Sequence, residues 1–395
     1  MSWDTIRFGD LYSAESRNGL TKPSKVRGSG YKMINMGELF ANDRVYDIPM
    51  ELVPLKESEK INAKVECGDL LFARQSLVLE GAGKCSIVME VSQLTVFESH
   101  LIRVRLDKTL ALPMFYYYYF KSPLSPMKSI VSQCAQAGIR GSDLQELQVT
   151  LPPLEEQRRI VDVLSAYDDL IETNQKQIKL LEEAAQRLYK EWFVDLRFPG
   201  NENTPIIDGI PDGWEFRTLS QIADVVMGQS PKSEFYNQNQ QGLPFHQGVG
   251  SYGTRFVIDT TYSTSFTRIA EAGSVLFSVR APVGRLNMTK NKVIIGRGLA
   301  AINHRAGMQS YLFYLLKERF FKDDIIGNGA IFASISKDEL LGQKFTVPDD
   351  DLVVKFNTIA SDIDKKISGL ADQITLLTEA RDRLLPKLMN GEIKV

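Results

Sequence analysis

Two long stretches of the chain place their apolar residues at alternating steps of four and three. Ile160, Leu164, Tyr167, Ile171, Asn174, Ile178, Leu181, Ala185, Leu188 and Trp192 hold this register in the first. In the second it is held by Phe356, Ala360, Ile363, Ile367, Leu370, Ile374, Leu377, Arg381, Leu384 and Leu388. A heptad seam of this kind predicts a long helix with one face to bury, over 151–197 and again over 349–395. Both begin beside proline, Pro152-Pro153 and Pro348, with carboxylates in the first turn (Glu155 and Glu156; Asp349 to Asp351) that suit the positive end of the helix dipole. About 35 helical residues extend roughly 50 Å, too far to hide in one small domain, so the simplest partner for each seam is the other. Asn174 and Arg381 interrupt the seams and either fix register or lie where the seam opens to water.

The two helices are copies. Residues 168–188 (DDLIETNQKQIKLLEEAAQRL) and 364–384 (DKKISGLADQITLLTEARDRL) are identical at 10 of 21 positions, at a constant offset of 196. The repeat continues upstream through Ile139/Ile335, Leu144/Leu340, Thr150/Thr346 and Pro152/Pro348, and CGDLLFARQS (67–76) resembles AGSVLFSVRA (272–281) at an offset of 205. Whole halves are therefore duplicated with loops of different length. In each half DLLFARQ, HLIRVRL or SVLFSVR reads as a short strand between Gly-rich turns. An aromatic helix follows, LPMFYYYYFKS (112–122) or MQSYLFYLLKER (308–319). The Tyr116–Tyr119 run suggests a base-stacking platform, but its counterpart is plainly an apolar helix, which favours core packing.

The expected fold is α+β: two β-rich modules, 1–150 and 198–348, separated by two long antiparallel coiled-coil helices, 151–197 and 349–395, with an internal twofold pseudo-repeat. Antiparallel pairing would place the modules at opposite ends of a rod, with the join near FPGNENTPIIDGIPDGW (198–214).

Composition narrows the function by exclusion. The chain has 395 residues and a net charge of −2, divided as +1 over 1–150, −3 over 151–200, +2 over 201–348 and −2 over 349–395. This is far from the basicity of a nonspecific DNA binder. No apolar run approaches a membrane span and the N-terminus is polar, so a cytoplasmic protein is expected. Cys67, Cys85 and Cys134 have neither metal-ligand spacing nor an even count, and are expected to be buried or incidental thiols. His100, in an apparent strand, and His246 and His304, in or near turns, have no nucleophile or metal partner by spacing. EGAGKCS (80–86) lacks the first Gly and the Ser/Thr of a phosphate loop, and no Asn/Asp-Pro-Pro-aromatic methylation signature occurs. Neither a catalytic residue nor a metal site is expected.

Candidates for contact with a polyanion are cations in loops. The segment SRNGLTKPSKVRGSGYK (16–32) offers Arg17, Lys22, Lys25, Arg27 and Lys32 with no acid among them, in a stretch whose Gly, Ser and Pro predict a loop. A merely solvated loop explains it equally well. Arg74 follows a strand of the first half, and FSVRAPVGRLNMTKNKVIIGRGLAA (277–301) carries Arg280, Arg285 and Arg297. Gln229, Gln247 and Asn287 are amides of the kind that read adenine.

Several of these stretches together resemble one family, the specificity (S) subunits of type I restriction-modification enzymes. GSVLFSVRAPVGRLNMTKNKVIIGRGLAAI (273–302), GQSP…GLPFHQG (228–248) and GDLLFARQS…GAGKCSIV…FESHLIRVR (68–105) are similar to its target recognition domains. LPPLEEQRRIVDVLSAYDDLIE (151–172) and LLTEARDRLLPKLMNGEI (376–393) are similar to its central and distal conserved regions. Arg285 is a departure, since the family often has Asp or Asn there.

The resemblance implies that each module is a target recognition domain reading one half of a split, asymmetric double-stranded DNA site, and that the helices set the unread gap and dock two methyltransferase (M) subunits. It implies no cofactor in this chain: S-adenosylmethionine belongs to the M subunits, which methylate adenine N6, and ATP and Mg to restriction (R) subunits that translocate and cleave. Arg17, Lys22, Lys25, Arg27, Arg74, Gln247, Arg280, Arg285 and Arg297 are then the DNA-contact candidates. Rival readings are a coiled-coil scaffold that never reads bases and a self-contained nuclease or methyltransferase.

Overall fold

The computed structural model describes residues 3–133, 137–320 and 334–395, and Cys134 lies outside them. The chain divides into two compact units, residues 1–173 with 373–395 and residues 174–372. Each holds one β-rich module and a segment of both long helices.

In unit 1 the central sheet comprises β1 (Tyr12–Asn18), β2 (Leu70–Ala73), β3 (Cys85–Val88) and β4 (Leu101–Leu106) in the order β1-β4-β2-β3, with Arg44–Val45 added at the β3 edge. Helix α1 (Pro113–Lys121) covers one face and a three-stranded sheet containing Tyr31–Ile34 covers the other. Leu70 and Phe72 therefore point into one core while Leu71 and Ala73 point into a second. Burial on both faces explains why LLFA reads as an unbroken apolar run instead of an alternation.

Unit 2 repeats this plan. Strands β5 (Ala223–Met227), β6 (Val275–Ser278), β7 (Leu286–Met288) and β8 (Leu299–His304) lie in the order β5-β8-β6-β7, and α3 (Gln309–Phe320) takes the place of α1; α2, which lies between them in the chain, is the first long helix, Leu154–Phe193. Val275 and Phe277 face one core and Leu276 the other. Even single loop bonds recur: the Arg74 amide donates to His100 O as Val279 does to Gly298 O, and the Ile139 amide donates to Arg74 O as Ile335 does to Val279 O.

The second long helix is α4 (Asp350–Met389). In unit 1, Ile160 and Leu164 of α2 share a core with Leu385, Leu388 and Met389, while Asp168 meets Arg381. In unit 2, Tyr189 packs on Phe356, while Glu182 and Asp364 converge on Arg255. Ascending numbers on one helix meet descending numbers on the other, so the segments run antiparallel within each unit.

The seam departs in detail from a strict heptad. Ile160, Leu164, Ile171, Asn174, Ile178 and Ala185 are buried, as are Phe356, Ala360, Ile367, Leu370 and Leu388, whereas Tyr167, Leu181, Ile363, Ile374, Leu377 and Leu384 are half-buried. Asp168, Tyr189 and Phe193 are buried where the 4,3 spacing names Tyr167, Leu188 and Trp192. The cause is the module beside each segment: a helix that also packs on a domain buries a face wider than a two-helix seam.

Two local expectations need correction, and the core-packing reading of the tyrosine run is borne out. Segment 16–32 is not all loop, since Arg17 lies in β1 and Lys32 in the strand Tyr31–Ile34. His100 lies in an exposed turn before β4, not in a strand. Tyr116 to Tyr119 are all at most 4% exposed and cannot stack on a base. Cys67 is exposed and Cys85 buried.

Candidate nucleic-acid interface

In module 2 three loops converge. The strand Leu243–His246 delivers Gln247 to the surface, and β8 is preceded by the Gly296-Arg297-Gly298 turn. Gly296 donates its amide to His246 O, and Gly298 donates to Gln247 O. A Cβ on Gly296 would lie 2.9 Å from Gln247 Cα, so only glycine lets these loops close. Ser230 ties in the third loop: its hydroxyl donates to Gln247 Oε1 at 2.8 Å and accepts from the Arg297 amide at 3.3 Å.

Buried His246 holds the next turn from below through Ser251 Oγ (2.9 Å) and Asp259 Oδ1 (3.0 Å). Because the Val279 amide bonds Gly298 O, Arg280 joins the same cluster. Gln247, Arg280 and Arg297 are thus exposed together on a frame of main-chain bonds. Arg285, immediately before β7, is half-buried and lines a cavity of about 490 Å³ with Tyr252, Phe313 and Lys317. Asn287 is buried and donates to Gly253 O, which removes it from any base-reading role.

Module 1 treats its cations differently. Lys22 pairs with Glu59 at 2.8 Å, Arg27 with Glu51 at 2.6 Å and Lys32 with Asp47 at 2.5 Å, while Arg17 donates to Asn62 Oδ1 at 3.2 Å. The segment lacks acids of its own, but the fold supplies them from elsewhere, so Lys22 and Arg27 are poorer phosphate ligands than the sequence suggests. Lys25 is exposed and forms no ion pair among the described residues. Arg74 is half-buried, with its guanidinium 3.5 Å from Ser99 O and no carboxylate partner among the described residues.

Where module meets helix, each unit buries a charged network. In unit 1 the Tyr118 hydroxyl donates to Asp168 at 2.7 Å, and Arg381 donates to the same carboxylate at 2.6 Å. Burial alone would lower the Arg381 pKa, but its bonds to Asp168 and Asp382 reverse this and hold the cation. Arg381 therefore does not lie where the seam opens to water. In unit 2 the Tyr314 hydroxyl donates to Asp364, and Arg255, 2% exposed, supplies the cation with Glu182 at 3.9 Å. Burial raises the Glu182 pKa; Arg255 and Lys317 act against this without cancelling it.

The family model for the type I restriction modification DNA specificity domain matches residues 1–183 and again 211–375. The chain belongs to this family. Among relatives of this DNA specificity subunit, the type I restriction enzyme MjaIX specificity subunit of Methanocaldococcus jannaschii is 25% identical over 413 residues, covering 100% of this chain and 94% of the relative. The EcoKI specificity subunit of Escherichia coli is 34% identical over 165 residues, covering 40% of this chain and 35% of the relative. A solved S subunit of the type I restriction-modification system of M. genitalium shares the fold, with a TM-score of 0.60 at 18% identity, over 98% of this chain and 96% of that one.

Among the described residues of the specificity subunit, no group of three His, Cys, Asp or Glu side chains is placed to hold a metal ion. No described helix is long and apolar enough to cross a membrane. The buried networks were missed in the sequence, although a signal existed: Tyr118/Tyr314 and Asp168/Asp364 recur at the helix offset of 196. Arg255 has no such signal, because its counterpart in the unit 1 network, Arg381, comes from a different element.

Proposed function

We propose that each module reads one half of a split, asymmetric DNA target, and that the long helices fix the unread gap and dock two M subunits. The observation that carries this reading is the duplicated fold with unlike surfaces. Module 2 gathers Gln247, Arg280 and Arg297 on a glycine-framed cluster, while module 1 pairs most of its cations and, among the described residues, gives Lys25 and Arg74 no acid. Two like scaffolds with unlike contact sets fit two unlike half-sites, and arginine beside an amide fits guanine and phosphate readout.

On this reading the chain contributes recognition and placement. Adenine N6 methylation falls to the M subunits with S-adenosylmethionine, and cleavage, where R subunits join, uses ATP and Mg. Extruding an adenine for methylation requires a firm grip on the flanking duplex, which positional contacts from both modules would supply. Selection of random duplexes by the complex of this chain with its M subunits tests the proposal. Two short, unlike sequences separated by a fixed run of unselected pairs are expected. A single palindrome, or no enriched sequence from an intact complex, would contradict it.

A further inference from the structure

The connection between β2 and β3 of module 1 ends in an apolar tip. Leu77 is 89% exposed, Val78 59% and Leu79 45%. Phe40, 40% exposed, and Met36 line a shallow cavity of about 380 Å³ with Leu77, so the tip continues into a wider apolar patch. Single exposed leucines are ordinary, but three consecutive exposed aliphatic residues beside an exposed ring mark a surface that meets something.

Charge and the internal repeat indicate what it meets. Arg74 opens the connection and has no carboxylate partner among the described residues, and His100 stands at the cavity's rim. Module 2 has the same connection, from β6 to β7, with Ala281 and Pro282 exposed between Arg280 and Arg285. The flanking strands match: Phe72 pairs with Cys85 as Phe277 pairs with Leu286. The tips do not match, since by these registers module 1 has four more residues between the pairs and carries Leu-Val-Leu. A partner common to both modules would meet like surfaces. The ligand that differs between the modules is the half-site.

We propose that Leu77, Val78 and Leu79 read the 5-methyl groups of thymine in the first half-site. This rests on the module-by-module reading above. The thymine methyl is the apolar feature of a base-pair edge in the major groove. Glu80, the acid of the tip, disfavours a phosphate contact there, which leaves base edges as the surface the tip can approach.

The test uses the full chain assembled with its M subunits, and duplexes in which single thymines of the target are replaced by uracil, removing the methyl alone. At least one uracil in the first half-site should weaken binding about fourfold, the value of one buried methyl group. Leu77→Ala should abolish that difference while leaving uracil effects in the second half-site unchanged. At 89% exposure the substitution does not threaten folding. A first half-site without an A·T pair, absence of any uracil effect there, or equal uracil effects in Leu77→Ala and the parent would overturn the proposal. So would loss of the M subunits from Leu77→Ala on gel filtration, which would assign the tip to a protein partner. If the target is split and uracil has no coupled effect, the tip assignment alone fails; if no split target exists, the half-site reading fails with it.

Discussion

Replacing Asp364 by alanine should locally destabilise unit 2 by about 3–5 kcal/mol, the usual cost of removing one partner from a buried ion pair. The magnitude follows from what would remain around Arg255. Its side chain is 2% exposed, and among the described residues Nε and Nη1 have no hydrogen-bond partner, so the guanidinium is sealed and water does not replace the carboxylate. Glu182 stays at 3.9 Å, and the Phe313 ring centroid lies 3.4 Å from the guanidinium carbon. The cation–ring contact offsets roughly 2 kcal/mol when desolvated, but it is present before and after the substitution and does not reduce the difference. The Tyr314 hydroxyl loses its acceptor as well, for about 1 kcal/mol. Because the chain has two compact units, amide hydrogen exchange of β8 and α3 is the appropriate assay, with β4 and α1 as the internal control. A loss below about 1 kcal/mol, or equal losses in both units, would refute the argument that Arg255 is sealed from water. The pair Arg255→Met with Asp364→Leu should recover part of the loss, since it removes the sealed cation and leaves only Glu182, which keeps Lys317 as an opposing charge.

Asp43 should make unit 1 acid-sensitive. Burial raises its pKa, but Lys121 at 2.6 Å and Lys84 at 3.2 Å more than offset this and hold it below the usual carboxylate value. Its stabilisation is present above the unfolded carboxylate range and is lost as pH falls through the lower folded pKa; Lys121→Met should shrink that acid-dependent loss in hydrogen exchange of α1. Arg280→Ala and Arg297→Ala should each weaken DNA binding, and for a phosphate contact should lower the slope of affinity against salt by about one, read by anisotropy titration. An unchanged slope with relaxed sequence preference would reassign that arginine to a base edge. Gly296→Ala should cost about 1–3 kcal/mol through its clash with the Gln247 main chain, and should weaken DNA binding more than Gly369→Ala in α4, whose Cβ meets nothing within 4 Å.

The long helices were legible because their periodicity is local and repeated: Ile160 to Trp192 and Phe356 to Leu388 declare one face each. What the period could not reveal is the second surface, the module, which moves burial from Tyr167 to Asp168 and from Trp192 to Phe193. The strands were legible at β2 and β6, where burial on both sides forces an unbroken apolar run. The fate of the cations was not, because Glu59, Glu51 and Asp47 reach Lys22, Arg27 and Lys32 only after the chain folds. Nor could sequence separate exposed Gln247, in the loop after the strand Leu243–His246, from buried Asn287, inside β7.

The central claim is that each module reads its own half-site. It is tested most directly by mapping N6-methyladenine at single-molecule resolution in cells carrying the chain with its M subunits, and in cells carrying a hybrid whose residues 206–347 come from the Methanocaldococcus relative. One half of the split motif should change in the hybrid, with the gap and the other half retained. A motif altered in both halves, or in neither, would contradict the account.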